Sequence, residues 1–384
     1  MSDKFTEITT VGLGGRITKS IKGVLLGIVL FVGSFGLLYW NEGRVDISNI
    51  AKKAVEINAE TENAEVSLNG KLVSASGIVN SNQIIGDNLF LKPDRFMVVE
   101  RRVEMYAWVE KSRKKSKRNV GGSETSKKTY TYLKEWAERP ESSSDFKYPE
   151  EHQNPQKSLD SYTGKTTAAT IGLYSFNPQS IKFPDASVLP LNSKNTNLSS
   201  GAILANGSYL FLHKSDSGTF LNPQIGDLRI SYYVIHPNFN GTIFGKLNGN
   251  KIDPYHDQDG NYLYRIFFGN REDGIATLHS EFTNALWIMR LVGFLIMWAG
   301  LSFLFGPIST LLDILPIFRT ISRFFIGAVT FFVSLVLAVV TIAVSFIFNS
   351  IIMLFIVVIL VIAIIVLLLF MWRKRRETVS IPKI

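Results

Sequence analysis

The sequence predicts an α+β membrane protein. It has four transmembrane helices, one N-terminal and three C-terminal, with a large β-rich extramembrane domain between the first and second. Three observations carry this. From Phe324 to Trp372 there are 49 consecutive positions without a charge, whereas one bilayer span needs only ~20 apolar residues at ~1.5 Å rise each. A separate apolar stretch, Gly23–Trp40, stands near the start. Between them, short patterns of alternating hydrophobicity recur, the signature of half-buried strands. Lipid offers no partner to backbone N–H and C=O, so the long apolar runs are helices.

In chain order, residues 1–22 are polar, with Lys4, Arg16, Lys19 and Lys22 against Asp3 and Glu7, and read as a cytoplasmic N-terminal segment. The first span, 23–41, ends in Tyr39-Trp40, aromatics suited to the interface rather than to a small-x-small cleavage site, so it reads as an uncleaved anchor. Gly23 and Gly27, four positions apart, would let another helix approach closely and are candidates for assembly.

The β-rich domain is placed at 45–284, starting with a short helix marked by Ile47, Ile50, Ala51, Ala54 and Ile57. Strands are expected at Leu72–Val79, Phe96–Glu110, Thr129–Trp136, Tyr209–Leu212 and Gly226–Ile235, with a further pair flanking Asp257–Gly260. Lys111–Arg118 holds six basic residues in eight: Lys111, Arg113, Lys114, Lys115, Lys117 and Arg118. This patch reads as a solvated hairpin tip that discourages edge-to-edge pairing, or alternatively as a surface for phosphate, lipid headgroups or nucleic acid. Nucleic acid is the less favoured partner, because no aromatics interleave the charges. Residues 137–200, rich in Ser, Asn and Pro, read as irregular or partly mobile. Ile275, Leu278, Phe282 and Leu286 mark a helix leading into the second span, 286–305.

An interfacial or re-entrant connection at 307–323 follows, then spans at 324–348 and 351–372, turned at Asn349-Ser350, and a basic tail at 373–384. The flank Arg16–Lys22 and the cluster Arg373-Lys374-Arg375-Arg376 place both termini in the cytoplasm and the β-rich domain on the extracytoplasmic or luminal side. Within the membrane block, Arg290 sits where a long side chain can snorkel. Asp313 invites a structural pair with Arg319 or Arg323, or a place on an ion or proton path.

The formal net charge is +9, much of it in two short clusters. Cysteine is absent, which excludes disulfides, thiolate zinc sites, a catalytic cysteine and cysteine-ligated iron–sulfur clusters. No H-E-x-x-H or G-x-S-x-G occurs, and Gly164-Lys165-Thr166 lacks the upstream glycine of a phosphate loop, Leu159 standing there instead. Asp257 and Asp259 before Gly260 are weak candidates for calcium, weighed against a plain hairpin turn. No catalytic residue and no cofactor is expected.

Several short motifs, in order, resemble the transmembrane protein 43 (LUMA) family along nearly the whole chain. They are Asn41-Glu42-Gly43-Arg44, Val103-Glu104-Met105-Tyr106-x-Trp108-Val109-Glu110, Tyr130-x-Tyr132 with Glu135-Trp136, Asn154-Pro155, Gly226-Asp227-Leu228-Arg229, and Asp313 with Pro316-x-Phe318-Arg319. The Lys111–Arg118 segment is more basic than that family leads one to expect, and residues 180–200 match it poorly. The resemblance implies a non-enzymatic protein of the bacterial inner membrane, or of the endoplasmic reticulum or inner nuclear membrane in eukaryotes. There the family is linked to envelope organisation, self-association, and lamins and emerin as partners. The expected function is therefore an integral membrane scaffold, a homo-oligomer engaging the bilayer and other membrane or envelope proteins. The alternatives are a channel or transporter subunit, or a membrane-anchored sensor or binding module.

Overall fold

The computed structural model describes residues 3–61, 66–119, 122–198, 201–214, 218–312, 318–348 and the single positions 359 and 362. The chain opens with β1 (Asp3–Val11), α1 (Leu13–Glu42), α2 (Ile47–Ala51), β2 (Val55–Asn58) and β3 (Leu72–Asn80). A long hairpin follows, β4 (Val98–Arg118) and β5 (Glu124–Ala137). Short strands come next: β6 (Tyr162–Lys165), β7 (Ala169–Ile171), β8 (Tyr174–Phe176), β9 (Ser187–Val188), β10 (Ile203–Ala205) and β11 (Tyr209–Leu212). Then come β12 (Leu228–Ile235), β13 (Phe239–Asn248), β14 (Lys251–Asp253), β15 (Tyr255–His256), β16 (Tyr262–Leu263) and β17 (Arg265–Phe268). Three helices close the described chain: α3 (Arg271–Leu304), α4 (Gly306–Leu312) and α5 (Phe318–Phe348).

Two compact units emerge. The first holds residues 1–7, 46–114 and 128–280, and the second residues 8–45, 115–127 and 281–384. In the first, one sheet runs β1-β5-β4-β12-β11-β10, with β6 on β4 and β9 on β12. β12 lies antiparallel to β4, Ile230 opposite Val103 and Val234 opposite Val99. The alternation in β4 works as its sequence suggests: Val103, Met105 and Ala107 are buried with Ile230, Tyr232 and Val234. The second sheet runs β17-β13-β14-β8-β7-β3-β2, and β13 also pairs β3. The strands β13, β14, β8, β7 and β3 thus close on themselves, and β17 and β2 remain as the outer strands, paired to β13 and β3. Ile57, Val73, Ala75, Ile171, Tyr174, Ile243 and Ile266 fill its interior.

In the second unit, α1 and α3 run antiparallel through contact of small residues. A Cβ on Gly27 would lie 2.9 Å from the Gly300 carbonyl, and one on Gly300 would lie 2.6 Å from Phe31 N. Phe31, Phe35 and Leu38 of α1 pack with Met297 and Leu301 of α3 and Ala338 of α5. α1, α3 and residues 325–346 of α5 are each long and apolar enough to cross a membrane.

Several expectations are corrected. Residues 1–22 are not a separate polar segment: Asp3–Val11 is a strand of the β-rich sheet, and α1 begins at Leu13. The basic run 111–118 is not a hairpin tip but the outer length of β4, because it is paired along β5, and Asn119 N–H still reaches the Ser123 carbonyl beyond it. The helix after the first span stops at Ala51, and Ile57 belongs to β2, which pairs β3 in parallel. Within 137–200 the described residues, 137–198, carry β6 to β9 and buried side chains such as Phe146, Ile171 and Phe176, so they are ordered rather than irregular. Residues 306–312 of the connection form α4, and α5 starts at Phe318. The fourth span, 351–372, falls outside the described residues apart from Ile359 and Ile362, as does the tail 373–384.

Candidate functional site

The motif residues of β4 and β5 meet on one face of the hairpin. Tyr106 stands against Trp136 (ring centroids 5.2 Å apart), the Lys134 ammonium lies 4.7 Å above Trp108, and the Tyr132 hydroxyl donates to Glu110 at 2.5 Å. These pairs fix one register from end to end, since each pair of numbers sums alike.

A loop between β5 and β6 folds over this face and brings His152 into it. The imidazole is fully buried, stacked on Tyr132 at 3.7 Å and edge-on to Trp108 at 4.8 Å. Its Nδ1 lies 2.9 Å from the Tyr148 carbonyl, an acceptor, so that nitrogen carries the proton. Among the described residues Nε2 has no hydrogen-bond partner, and it lies 3.4 Å from an Asp3 carboxylate oxygen. Asn154, in the same loop, accepts from Trp108 N–H at 2.7 Å and donates back to the Trp108 carbonyl at 2.9 Å, acting as an extra rung on β4.

β1 completes the cluster. Phe5 stacks on Tyr148 at 4.6 Å and sits edge-on to Tyr132 and His152, both at 5.9 Å. Two residues on, Glu7 accepts from Tyr130 and Tyr148 hydroxyls and pairs with Lys147 at 3.0 Å. The Lys147 ammonium holds the Glu7 carboxyl below its ordinary value, and Glu7 raises Lys147 in turn. Burial, then the Glu110 hydrogen bond, pushes Tyr132 up to about 12.

Two further polar knots stiffen the same sheet. Arg229 makes two bonds to Glu104, at 2.5 and 2.8 Å, while its guanidinium lies 4.9 Å from the Trp136 ring and 5.2 Å from Tyr209. Asp87, buried, accepts from Tyr232, from Arg101 at 2.8 Å and from three successive backbone N–H groups. Burial alone would raise the Asp87 pKa, but these donors outweigh it and hold the carboxyl below its usual range. Sequence reading missed this triad, whose members lie 14 and 145 positions apart.

At the end of α1, Asn41-Glu42-Gly43-Arg44 fastens α1 to α3. Asn41 donates to the Leu286 carbonyl at 3.1 Å, and Glu42 takes both Arg290 donors at 2.8 and 2.7 Å. Arg44 lies 5.8 Å from both the Trp40 and Phe282 rings. Arg290 therefore does not snorkel toward water: it is held in a bidentate pair whose Glu42 side chain is 2% exposed. Gly27, expected to serve assembly, is occupied within the chain by Gly300 and Phe303, and Gly23 by Phe303 at 3.6 Å.

Asp257 is committed to its turn. One carboxylate oxygen accepts from Asp259 N and Asn261 N, at 2.9 and 2.8 Å, and the other from the Asn261 side chain at 2.8 Å. Among the described residues no group of three His, Asp or Glu side chains could hold a metal ion. Asp313 lies outside the described residues; Arg319 and Arg323 fall in the first turns of α5, and their side chains are not described.

The family described as Transmembrane protein 43 matches residues 105–351, more than half of the chain. The chain belongs to the transmembrane protein 43 family. A transmembrane protein 43 homolog of Drosophila melanogaster is 29% identical over 301 residues, covering 72% of this chain and 75% of that protein. Transmembrane protein 43 of Rattus norvegicus is 23% identical over 365 residues, covering 90% of this chain and 89% of its own. The Homo sapiens protein is 24% identical over 355 residues, covering 87% and 86%. No solved structure matches.

Proposed function

We propose that this transmembrane protein 43 family member is a non-enzymatic integral membrane scaffold that self-associates and organises other membrane or envelope proteins. The observation that carries the reading is how the motif residues are used. Glu104, Glu110, Asn154 and Asp227 each direct their polar atoms to partners inside the β-rich domain. Such satisfied contacts rigidify a sheet instead of presenting reactive groups to a substrate. Self-association does not run through Gly23 and Gly27, which α3 covers; the exposed apolar faces of α3 and α5, including Trp287, Leu291 and Phe332, remain open to lipid or a second copy.

Charge and strand pairing bear on the sidedness. Arg373–Arg376 supports a cytoplasmic C-terminus with the β-rich domain on the opposite side. The flank Arg16–Lys22 favours the cytoplasm for the N-terminus as well. The pairing of β1 with β5 supports the other reading, in which residues 3–7 stay with the domain; α1 then does not cross the bilayer, because both of its flanks lie on one side. The membrane is the bacterial inner membrane, or the endoplasmic reticulum or inner nuclear membrane in a eukaryote.

The test is the mass of the full chain extracted in detergent, with bound lipid subtracted. A defined oligomer supports the scaffold, and a monomer at all concentrations overturns it.

A further inference from the structure

The outer end of the β4–β5 ribbon belongs to the same compact unit as the membrane helices. We propose that this end, with Lys115, Lys117 and Lys127 on one face and Lys19 and Lys22 on the adjoining helix, is a docking surface for anionic phospholipid headgroups.

Strand register gathers the charges. Ser116 stands opposite Ser126, hydroxyls 2.8 Å apart, and Asn119 N–H donates to the Ser123 carbonyl at 2.8 Å. The same register places Lys115 directly opposite Lys127, with Lys117 two residues further along the same face. Like charges facing each other across a ladder are unfavourable. All three side chains are exposed. Among the described residues none of them has a carboxylate within ion-pair distance, and the nearby acid, Glu124, is engaged by Arg16 at 3.6 Å. An anion from outside would relieve the repulsion.

The position of the ribbon decides which anion. Arg16, buried, donates to the Gly122 carbonyl at 2.6 Å, and a Cβ at Gly122 would fall 2.9 Å from the Leu13 side chain. Gly122 has φ +82°, so glycine is needed there both for the backbone and for the space. These contacts pin the turn to the first turns of α1. The apolar stretch starts at Gly23, seven residues past Arg16, or about 10 Å along the helix. Lys19 and Lys22, both exposed, lie in that interval.

β1 adds Ile8, 69% exposed. The Thr10–Thr125 hydroxyl contact at 3.2 Å places Ile8 beside Lys127 on the antiparallel neighbour. An exposed isoleucine among lysines suits the headgroup boundary, where cations meet phosphate and the apolar group enters the acyl edge. No aromatic side chain stands among these lysines to stack a base, which disfavours nucleic acid.

The experiment uses the full chain in phosphatidylcholine vesicles carrying spin-labelled phosphatidylserine or phosphatidylcholine, and reads the immobilised fraction of each. The wild type is expected to prefer phosphatidylserine. The preference should fall roughly tenfold in Lys115→Gln/Lys117→Gln/Lys127→Gln, given about fivefold per cation before screening, and should persist in the corresponding triple Arg variant. Equal preference in the wild type and the Gln variant overturns the proposal. Should the Gln variant not fold, 1 M salt applied to the wild type decides the matter: abolished preference supports the site, retained preference overturns it. An RNA oligonucleotide bound by the wild type in neutral vesicles, without any lipid preference, overturns it in favour of nucleic acid.

Discussion

His152 lies flat on Tyr132, ring centroids 3.7 Å apart and planes 14° from parallel, inside a cage completed by Trp108 and Phe5. The Tyr132 hydroxyl donates to Glu110 and accepts from Tyr148 N–H at 2.9 Å, so it joins β4 to the overlying loop. Tyr132→Phe removes both bonds and leaves polar atoms unpaired, and should cost about 1–3 kcal/mol. Denaturant unfolding followed by tryptophan fluorescence checks this; a loss no larger than that of an exposed Tyr262→Phe control would contradict the role assigned to the hydroxyl.

Glu42→Gln breaks the bidentate pair with Arg290 and strands a largely buried guanidinium. Removing one partner of a buried pair costs about 3–5 kcal/mol, while replacing both with apolar groups is much milder. Thermal unfolding in detergent should therefore show a large drop for Glu42→Gln and a partial recovery in Glu42→Leu/Arg290→Met. If the double variant were as unstable as the single one, the pair would not be what joins α1 to α3.

Gly300→Val places a side chain where Phe31 N stands at 2.6 Å. Overpacking of this kind costs about 1–3 kcal/mol. Loss of stability with an unchanged oligomeric mass is the expected result, because the contact is within one chain. A change of mass alone would return the glycine pair to an assembly role.

The hold of β1 should depend on pH at both ends of the scale. Glu7 has its folded value below the ordinary 4.5, so its contribution is complete above pH 4.5 and disappears as pH falls through the lowered folded value. Lys147, raised above 10.5, and Tyr132, raised from 10 to about 12, contribute fully below those ordinary values and lose their contribution as pH rises through the folded ones. Near-ultraviolet circular dichroism from the tyrosines should thus be flat between about pH 4.5 and 10. Glu7→Gln should remove the acid limb and, because Glu7 is what raises Lys147, the Lys147 part of the alkaline limb, leaving the part due to Tyr132.

Because the chain lacks cysteine, Lys4→Cys and Asn206→Cys each provide a single thiol. With β1 paired to β5, an impermeant maleimide should label both from the same side of sealed vesicles, and α1 then does not cross the bilayer. Opposite labelling would show that α1 crosses once and that β1 leaves the sheet.

How much of this was legible beforehand varies by element. Alternation in 103–110 and 228–234 reported a sheet with one buried face, and both strands form as expected. β13 escaped notice because Gly241 to Gly245 are buried in succession, which erases the period of two. The loop after β5 looked irregular since its order comes from side chains bonded to backbone. Asn154 and Lys157 provide it, and such residues read as solvent-facing by composition alone. Lys111–Arg118 reads as a tip by strand propensity, which pairing with β5 overrides. The Asp87–Arg101–Tyr232 triad and the Glu42–Arg290 pair depend on distant partners, for which no spacing rule exists.

The union of β1 with β5 also sets a timetable for biosynthesis. Thr6 and its partner Thr129 are 123 positions apart, so at ~5–20 residues per second the first strand waits about 6–25 s for its mate to be made. During that interval α1, already complete, is presented to the insertion machinery with its leading strand unpaired. Whatever keeps residues 3–11 free to pair until translation passes Ala137 governs whether the native sheet forms.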